Sequence, residues 1–203
     1  MSKTRLMMPQ KTKPKIGIFG GTFDPPHLGH LIIAQTAVED LELDKVLFIP
    51  AASPPHKTDR LTAPASHRLA MLRLAIKGNK QFEATVLELQ RGGISYTVDT
   101  LRSLNEHYPD AQLFLILGED NYAEFRSWKA PGEIVGLASL VIYHRIGYGT
   151  VRNSPYPVTE LKGPILELSS TDIRKKVSRG QSVRYYVPKD VASYIKSKKL
   201  YIG

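Results

Sequence analysis

The 203-residue sequence contains no cysteine. Disulfides, thiolate nucleophiles and cysteine-ligated zinc are therefore excluded, and a reducing cytoplasm is the compartment such a chain suits. Tryptophan occurs once, and long apolar runs are missing. The longest, residues 134–143, is interrupted by Gly136 and Ser139 and falls short of the roughly 20 residues needed to span a bilayer. The first fifteen residues also lack the apolar stretch of roughly 7–15 residues that a secretory signal requires after its basic start. No membrane partner is expected. Acidic groups are the minority, 19 against 28 basic, giving a formal net charge of +9. That excess favours polyanions, from nucleic acid to a phosphorylated small molecule, without choosing between them.

What is present describes an ordinary globular chain. A hydrophobic content of 42% and a charged content of 23% exclude global disorder, and the length suffices for one domain with a real core. Residues 1–14, with Lys3, Arg5, Lys11 and Lys13, read as a flexible basic tail, and residues 15–203 as a single domain without repeat or linker. Buried strands are expected at residues 15–19, 45–50, 82–89, 112–118, 137–144 and 164–168. Helices are expected from about residue 29 to 41, from about 66 to 76 and from 96 to 107. Strands that are apolar throughout, alternating with helices, predict an α/β fold: a doubly wound, Rossmann-like parallel sheet covered on both faces. Ligands of such sheets bind beyond the carboxyl ends of the strands, near the switch in strand order.

The first strand runs into GGTFDPPHLGHL at residues 20–31. Gly20 and Gly21 lie between a strand and a helix, where backbone approaches a ligand closely and a helix N-terminus favours phosphate. The spacing fits neither a Walker loop nor the dinucleotide Gly-x-Gly-x-x-Gly fingerprint. His27 and His30, three apart, can share one face of a first helical turn and add imidazole donors. Two rival readings stay open on the residues alone: a metal pair with Asp24 as third ligand, and a purely structural loop. Further along, Ser169, Ser170, Thr171 and Arg174 precede or open a helix. Hydroxyls there can hold anionic oxygens, and Ser170 or Thr171 can equally serve as the N-cap. Thr97 can cap its own helix.

These segments carry a resemblance. The run from Gly17 to Leu31 resembles the nucleotidyltransferases marked by His-x-Gly-His after the first strand, and within them the bacterial nicotinate-nucleotide adenylyltransferases. Ser53-Pro54-Pro55-His56-Lys57, Ser95-Tyr96-Thr97-Val98-Asp99-Thr100-Leu101, Gly118-Glu119-Asp120, Trp128, Ser169-Ser170-Thr171-Asp172-Ile173-Arg174 and Tyr186-Val187-Pro188 follow in the family's order. The likeness spans about residues 15 to 201. It implies that Gly20, Gly21, Thr22, Phe23, Ser170 and Thr171 hold ATP, and that His27, His30, Lys57 and Arg174 surround the triphosphate. It implies further that Thr97, Asp99, Trp128 and Arg145 hold nicotinate mononucleotide, with the indole over the pyridine ring and Arg145 on the carboxylate. Two positions depart from the pattern. Lys129 stands where an aromatic residue is common, and Ile146-Gly147 follows Arg145 where Pro-Gly is usual.

The implied reaction transfers the adenylyl group of ATP to nicotinate mononucleotide, giving deamido-NAD and pyrophosphate. The attacking phosphate oxygen is already ionised at neutral pH, so no general base and no covalent intermediate are needed. Positioning and charge neutralisation would carry the rate, with Mg²⁺ bridging the phosphates and no metal-ligating protein residues assigned. A transferase acting on nicotinamide mononucleotide or phosphopantetheine is the nearest rival, and a nucleic-acid-binding module using the positive charge is a distant one. The partners expected are therefore ATP and nicotinate mononucleotide, with no nucleic acid; a homo-oligomer stays open.

Overall fold

The structure is a computed structural model that describes residues 13–53, 63–144 and 155–202. Most of the expected tail, together with His56, Lys57 and Arg145, lies outside the described residues. Six strands, β1 (Lys15–Gly21), β2 (Lys45–Pro50), β3 (Phe82–Ala84), β4 (Gln112–Gly118), β5 (Ser139–Tyr143) and β6 (Val158–Glu160), form one sheet. Its order is β3-β2-β1-β4-β5-β6, and every neighbouring pair is parallel. The order reverses between β1 and β4, so the crevice expected to take a ligand opens at the carboxyl end of β1.

Among the described residues, eight α-helices connect and cover the strands: α1 (Leu28–Leu41), α2 (Ala65–Ile76), α3 (Leu87–Arg91), α4 (Thr97–His107), α5 (Glu119–Ala123), α6 (Pro131–Leu137), α7 (Ser170–Ser178) and α8 (Lys189–Ser197). The alternation of the pleat sorts the core into two layers. Ile16, Ile18, Leu47, Leu113, Leu115 and Leu140 point to one face and pack with Val98, Leu101 and Leu104 of α4 and Ile134 of α6. Phe19, Val46, Phe48, Phe114, Ile116 and Val141 point to the other, against Ala34, Ala37 and Val38 of α1 and Leu72 and Ile76 of α2. A third cluster lies outside the sheet. Met71 and Ala75 of α2 meet Ile173 of α7, Val191 and Ile195 of α8, and Tyr201. α2 is thus apolar on two sides, with Met71 and Leu72 both sealed. No helix among the described residues is long and apolar enough to cross a membrane.

Three expectations require correction. The strand predicted over residues 82–89 stops at Ala84, and Leu87–Arg91 is helical. The Thr85 hydroxyl accepts from the Leu87 N–H, turning the chain, and the buried Glu88 carboxylate accepts from Thr100 Oγ1 at 2.6 Å. The fifth strand is shorter than residues 137–144, because Leu137 still belongs to α6. The sixth strand is Val158–Glu160 rather than residues 164–168. Pro164 brings no N–H to a ladder, and Ile165 is 55% exposed, so this extended segment only carries the chain to α7.

Candidate active site

The glycine-rich loop leaves β1 at the centre of the sheet. Gly20 is exposed, and a Cβ built on it would meet nothing within 4 Å. Open space at the carboxyl end of the central strand is what a ligand's approach requires. Phe23 adopts a left-handed backbone, φ 52°, which a bulky residue takes only when its surroundings enforce it. Here the ring is sealed at 1% exposure and makes edge or tilted contacts with Phe19, Phe48 and His30 at 5.0–5.8 Å between centroids.

α1 opens on a capping box built from imidazoles. His27 is the N-cap. Its Nδ1 accepts the His30 N–H at 3.4 Å, while His30 Nδ1 accepts the His27 N–H at 3.1 Å. The rings stack 3.7 Å apart, inclined by 22°. An Nδ1 that accepts a backbone N–H carries no proton, so each neutral ring bears its proton on Nε2 and presents that atom as a donor. The sequence expectation that the pair shares a face is met, and the geometry adds the tautomer. Gly29 makes this possible: a Cβ there would lie 3.0 Å from His27 Nδ1. Part of the helix terminus is occupied, since the Leu28 N–H donates to the Tyr186 carbonyl at 3.0 Å.

The distant Ser-Ser-Thr motif docks on this loop. Ser170 Oγ donates to the Pro25 carbonyl at 2.9 Å, and Arg174 donates to the Asp24 carbonyl at 2.8 Å and to Thr171 Oγ1 at 3.3 Å. Two segments about 145–150 residues apart thereby form one surface. The N-cap of α7 is neither Ser170 nor Thr171 but Ser169, whose Oγ accepts the Asp172 N–H at 3.1 Å. Capping therefore leaves Ser170 and Thr171 to other tasks. Arg174 is 7% exposed and stands 4.0 Å from the Asp24 carboxylate, so part of its donor fork is spent on the loop.

The residues just before α4 meet the end of β2. Ser53 pairs with Ile94, and the Ala52 N–H donates to Ser95 Oγ at 3.0 Å, which brings the start of α4 beside the crevice. Thr97 is the first residue of α4; Tyr96 is the N-cap, with no side-chain cap bond, so Thr97 does not cap the helix. The Asp99 carboxylate lies between Lys129 Nζ at 3.0 Å and Arg102 at 2.8 Å. The hydrogen bond from Lys129 holds its carboxyl below the usual range. Asp99 thus reaches any acceptor chiefly through Lys129, whose ammonium also sits 4.5 Å over the Tyr96 ring. Trp128 is half-buried, its ring 5.4 Å from Phe125. Lys57 and Arg145 lie outside the described residues. No group of three His, Asp or Glu side chains among the described residues could hold a metal ion, and Asp24 has other partners. The metal-pair reading of His27 and His30 loses its third ligand.

Two polar clusters escaped the sequence reading. Asp24, 1% exposed, accepts the Ala63 N–H at 3.1 and 3.2 Å and the Tyr201 hydroxyl, and lies among two buried arginines, Arg68 and Arg174. Burial, with Asp24 beside it, pushes the Tyr201 phenol upward. A buried arginine in α2 and the isolated Tyr201 give no local signal. The second cluster joins the ends of β4, β5 and β6. His144 bonds Glu119 through Nδ1 at 2.9 Å and Glu160 through Nε2 at 2.8 Å. The bond to Glu119, then that to Glu160, raises the imidazole pKa, while burial opposes them.

Comparison with known proteins identifies the family. Residues 18–176 match the model of the cytidylyltransferase-like family. The chain is 44% identical over 187 residues to a probable nicotinate-nucleotide adenylyltransferase of Lactiplantibacillus plantarum, covering 92% of this chain and 88% of that protein. It is 46% identical to one of Thermus thermophilus, covering 92% and 99%. A solved Plasmodium falciparum nicotinic acid mononucleotide adenylyltransferase complexed with NaAD shares the fold at a TM-score of 0.75 and 20% identity, over 93% of this chain and 97% of that one. The chain accordingly belongs to the cytidylyltransferase-like family, alongside the bacterial nicotinate-nucleotide adenylyltransferases.

Proposed function

We infer that this chain transfers the adenylyl group of ATP to nicotinate mononucleotide, releasing pyrophosphate and forming deamido-NAD. The observation that carries the reading is the junction of the two motifs. The stacked His27–His30 pair and the opening of α7 meet at the carboxyl end of the central strand, at the switch in strand order. Relatives named for this activity at 44% and 46% identity support the substrate.

The Nε2–H groups of His27 and His30 donate to phosphoryl oxygens, where negative charge builds as the bond to pyrophosphate breaks. Such preorganised donors contribute most where charge develops in the transition state. Ser170 and Thr171 add hydroxyls, and Lys57 and Arg174 add positive charge. The mononucleotide's phosphate attacks the α-phosphorus in line, already ionised, so the protein positions the reactants rather than moving a proton. Mg²⁺ bound to ATP would neutralise phosphate charge; among the described residues no cluster of three His, Asp or Glu could hold it. Trp128 stacks on the pyridine ring, Thr97 and the backbone around it meet the nucleotide, and Arg145 pairs with the carboxylate. Asp99 holds Lys129 beside Trp128, where its positive charge favours an acidic ring substituent. The reaction is assigned to the cytoplasm, because charged nucleotides do not cross a bilayer unaided. Pyrophosphate release with ATP and a panel of mononucleotides tests the reading: the acid mononucleotide turns over faster than the amide. A preference for the amide would refute the substrate assignment.

A further inference from the structure

Arg68 lies in the first turn of α2 at 4% exposure, yet its donors do not serve the core around it. They go to three backbone carbonyls on three segments. Nε donates to Ala63 at 3.2 Å, Nη1 to Thr22 at 2.9 Å and Nη2 to Ala52 at 3.5 Å. Ala52 and Ala63 flank the stretch that contains Lys57 in sequence, and Thr22 belongs to the glycine-rich loop. Burial pushes the guanidinium pKa down and the Asp24 charge opposes it. Leucine or methionine would fill the same space without desolvating a charge, so packing alone does not account for an arginine here.

The placement of the carbonyls gives the reason. Phe23 is the residue with φ 52°. The carbonyl before it, on Thr22, is held by Arg68, and the carbonyl after it, on Asp24, is held by Arg174. A strained residue persists only where its surroundings over-determine it. The strained turn is thus clamped on both sides by buried guanidinium groups, one from α2 and one from α7. Four residues after Phe23 comes His27, whose ring completes the imidazole capping box.

We propose that Arg68 is a positioning residue for adenylyl transfer: acting through Thr22, it fixes the Phe23 turn and hence the registry of His27 and His30. This rests on the reaction assigned above. A donor displaced by about 1 Å costs on the order of 10²-fold in rate, so loosening the clamp lowers kcat more than it alters substrate affinity.

The test compares the full-length wild-type chain with Arg68→Lys, which keeps the charge but loses the fork, and Arg68→Gln. Each is assayed for pyrophosphate release below its unfolding temperature, with the folded fraction measured by circular dichroism. Per folded molecule, kcat is expected to fall about 10- to 100-fold, while KM for nicotinate mononucleotide changes less than about threefold. Imidazole ¹⁵N spectra of the folded variants should also lose the uniform Nε2–H tautomer of His27 and His30. A folded variant with kcat within about twofold of wild type, or a kcat loss that merely follows the unfolded fraction, overturns the proposal. So does failure of both variants to fold, since Arg68 would then be a determinant of the fold and nothing finer. An inactive wild-type chain would instead sink the assigned reaction.

Discussion

Gly29→Ala separates stability from chemistry at a single position. Gly29 is the second residue of α1, and alanine there improves helix propensity by at most about 1 kcal/mol, the value for a helix interior. Against that gain stands the cap. The new Cβ would lie 3.0 Å from His27 Nδ1 and 3.1 Å from Cε1, closer than carbon and nitrogen settle. The ring has little room to yield: it is 6% exposed and stacked 3.7 Å from His30. Displacing it weakens the bond to the His30 N–H, already 3.4 Å long, and loss of an N-cap costs about 1 kcal/mol. The two terms nearly cancel. For a chain of this size the melting temperature should therefore move by no more than about 4 °C. The rate has no such compensation. If His27 donates to a phosphoryl oxygen as proposed, an imidazole displaced by several tenths of an ångström no longer meets it, and kcat should fall at least about tenfold. Thermal denaturation and pyrophosphate release on the same preparation measure both quantities. A Gly29→Ala protein with unchanged melting and unchanged kcat would refute the reasoning, because it would place the His27 ring outside the chemistry.

Three further outcomes follow from particular contacts. The His144 pKa is raised, so its bridge to Glu119 and Glu160 contributes fully below the ordinary value of 6.5 and is lost as pH rises through the higher folded value. Denaturant unfolding should show wild type losing stability as pH rises above that ordinary value, with the slope reduced in His144→Gln; equal slopes would remove the bridge from the balance. Asp24→Asn removes a buried carboxylate near two buried arginines, and breaking a buried pair costs about 3–5 kcal/mol; a loss below about 1 kcal/mol in urea unfolding would contradict the hub. Lys129→Met removes one of the two cations on Asp99 and leaves Arg102, so the Asp99 carboxyl should rise toward its ordinary value of 3.8 in a carbon-13 NMR titration, while exposed ion pairs of this kind add less than about 1 kcal/mol to stability.

Much of the frame was legible because burial on both faces writes an unbroken apolar run. The β2 and β4 bounds match the expected segments, Lys45–Pro50 and Gln112–Gly118. Residues 82–89 misled because Val86, Leu87 and Leu89 continue an apolar pattern after the ladder has ended; what turns the chain is the Thr85 hydroxyl and a carboxylate seeking Thr100. Residues 164–168 misled by composition alone, since an apolar segment ending in Ser-Ser-Thr looks like a strand whether or not a neighbour pairs with it. The candidate site divides in the same way. The histidine pair and the α7 opening are local motifs with local spacing, so both could be read. The Asp24 hub joins residues 39, 150 and 177 positions apart, and nothing near Arg68 or Tyr201 in sequence marks them. Sequence does not single out Ser169 as the cap, because three adjacent hydroxyl residues are equally suited and only the backbone selects among them.

The role proposed for the stacked imidazoles is to stabilise the phosphoryl group in transfer. Steady-state kinetics of His30→Ala with ATP and nicotinate mononucleotide test it most directly. The account predicts a kcat lower by about 10²–10³-fold with KM for ATP changed far less, as for removal of a transition-state donor. An unchanged kcat with a raised KM would contradict it and leave His30 as a part of the helix cap alone.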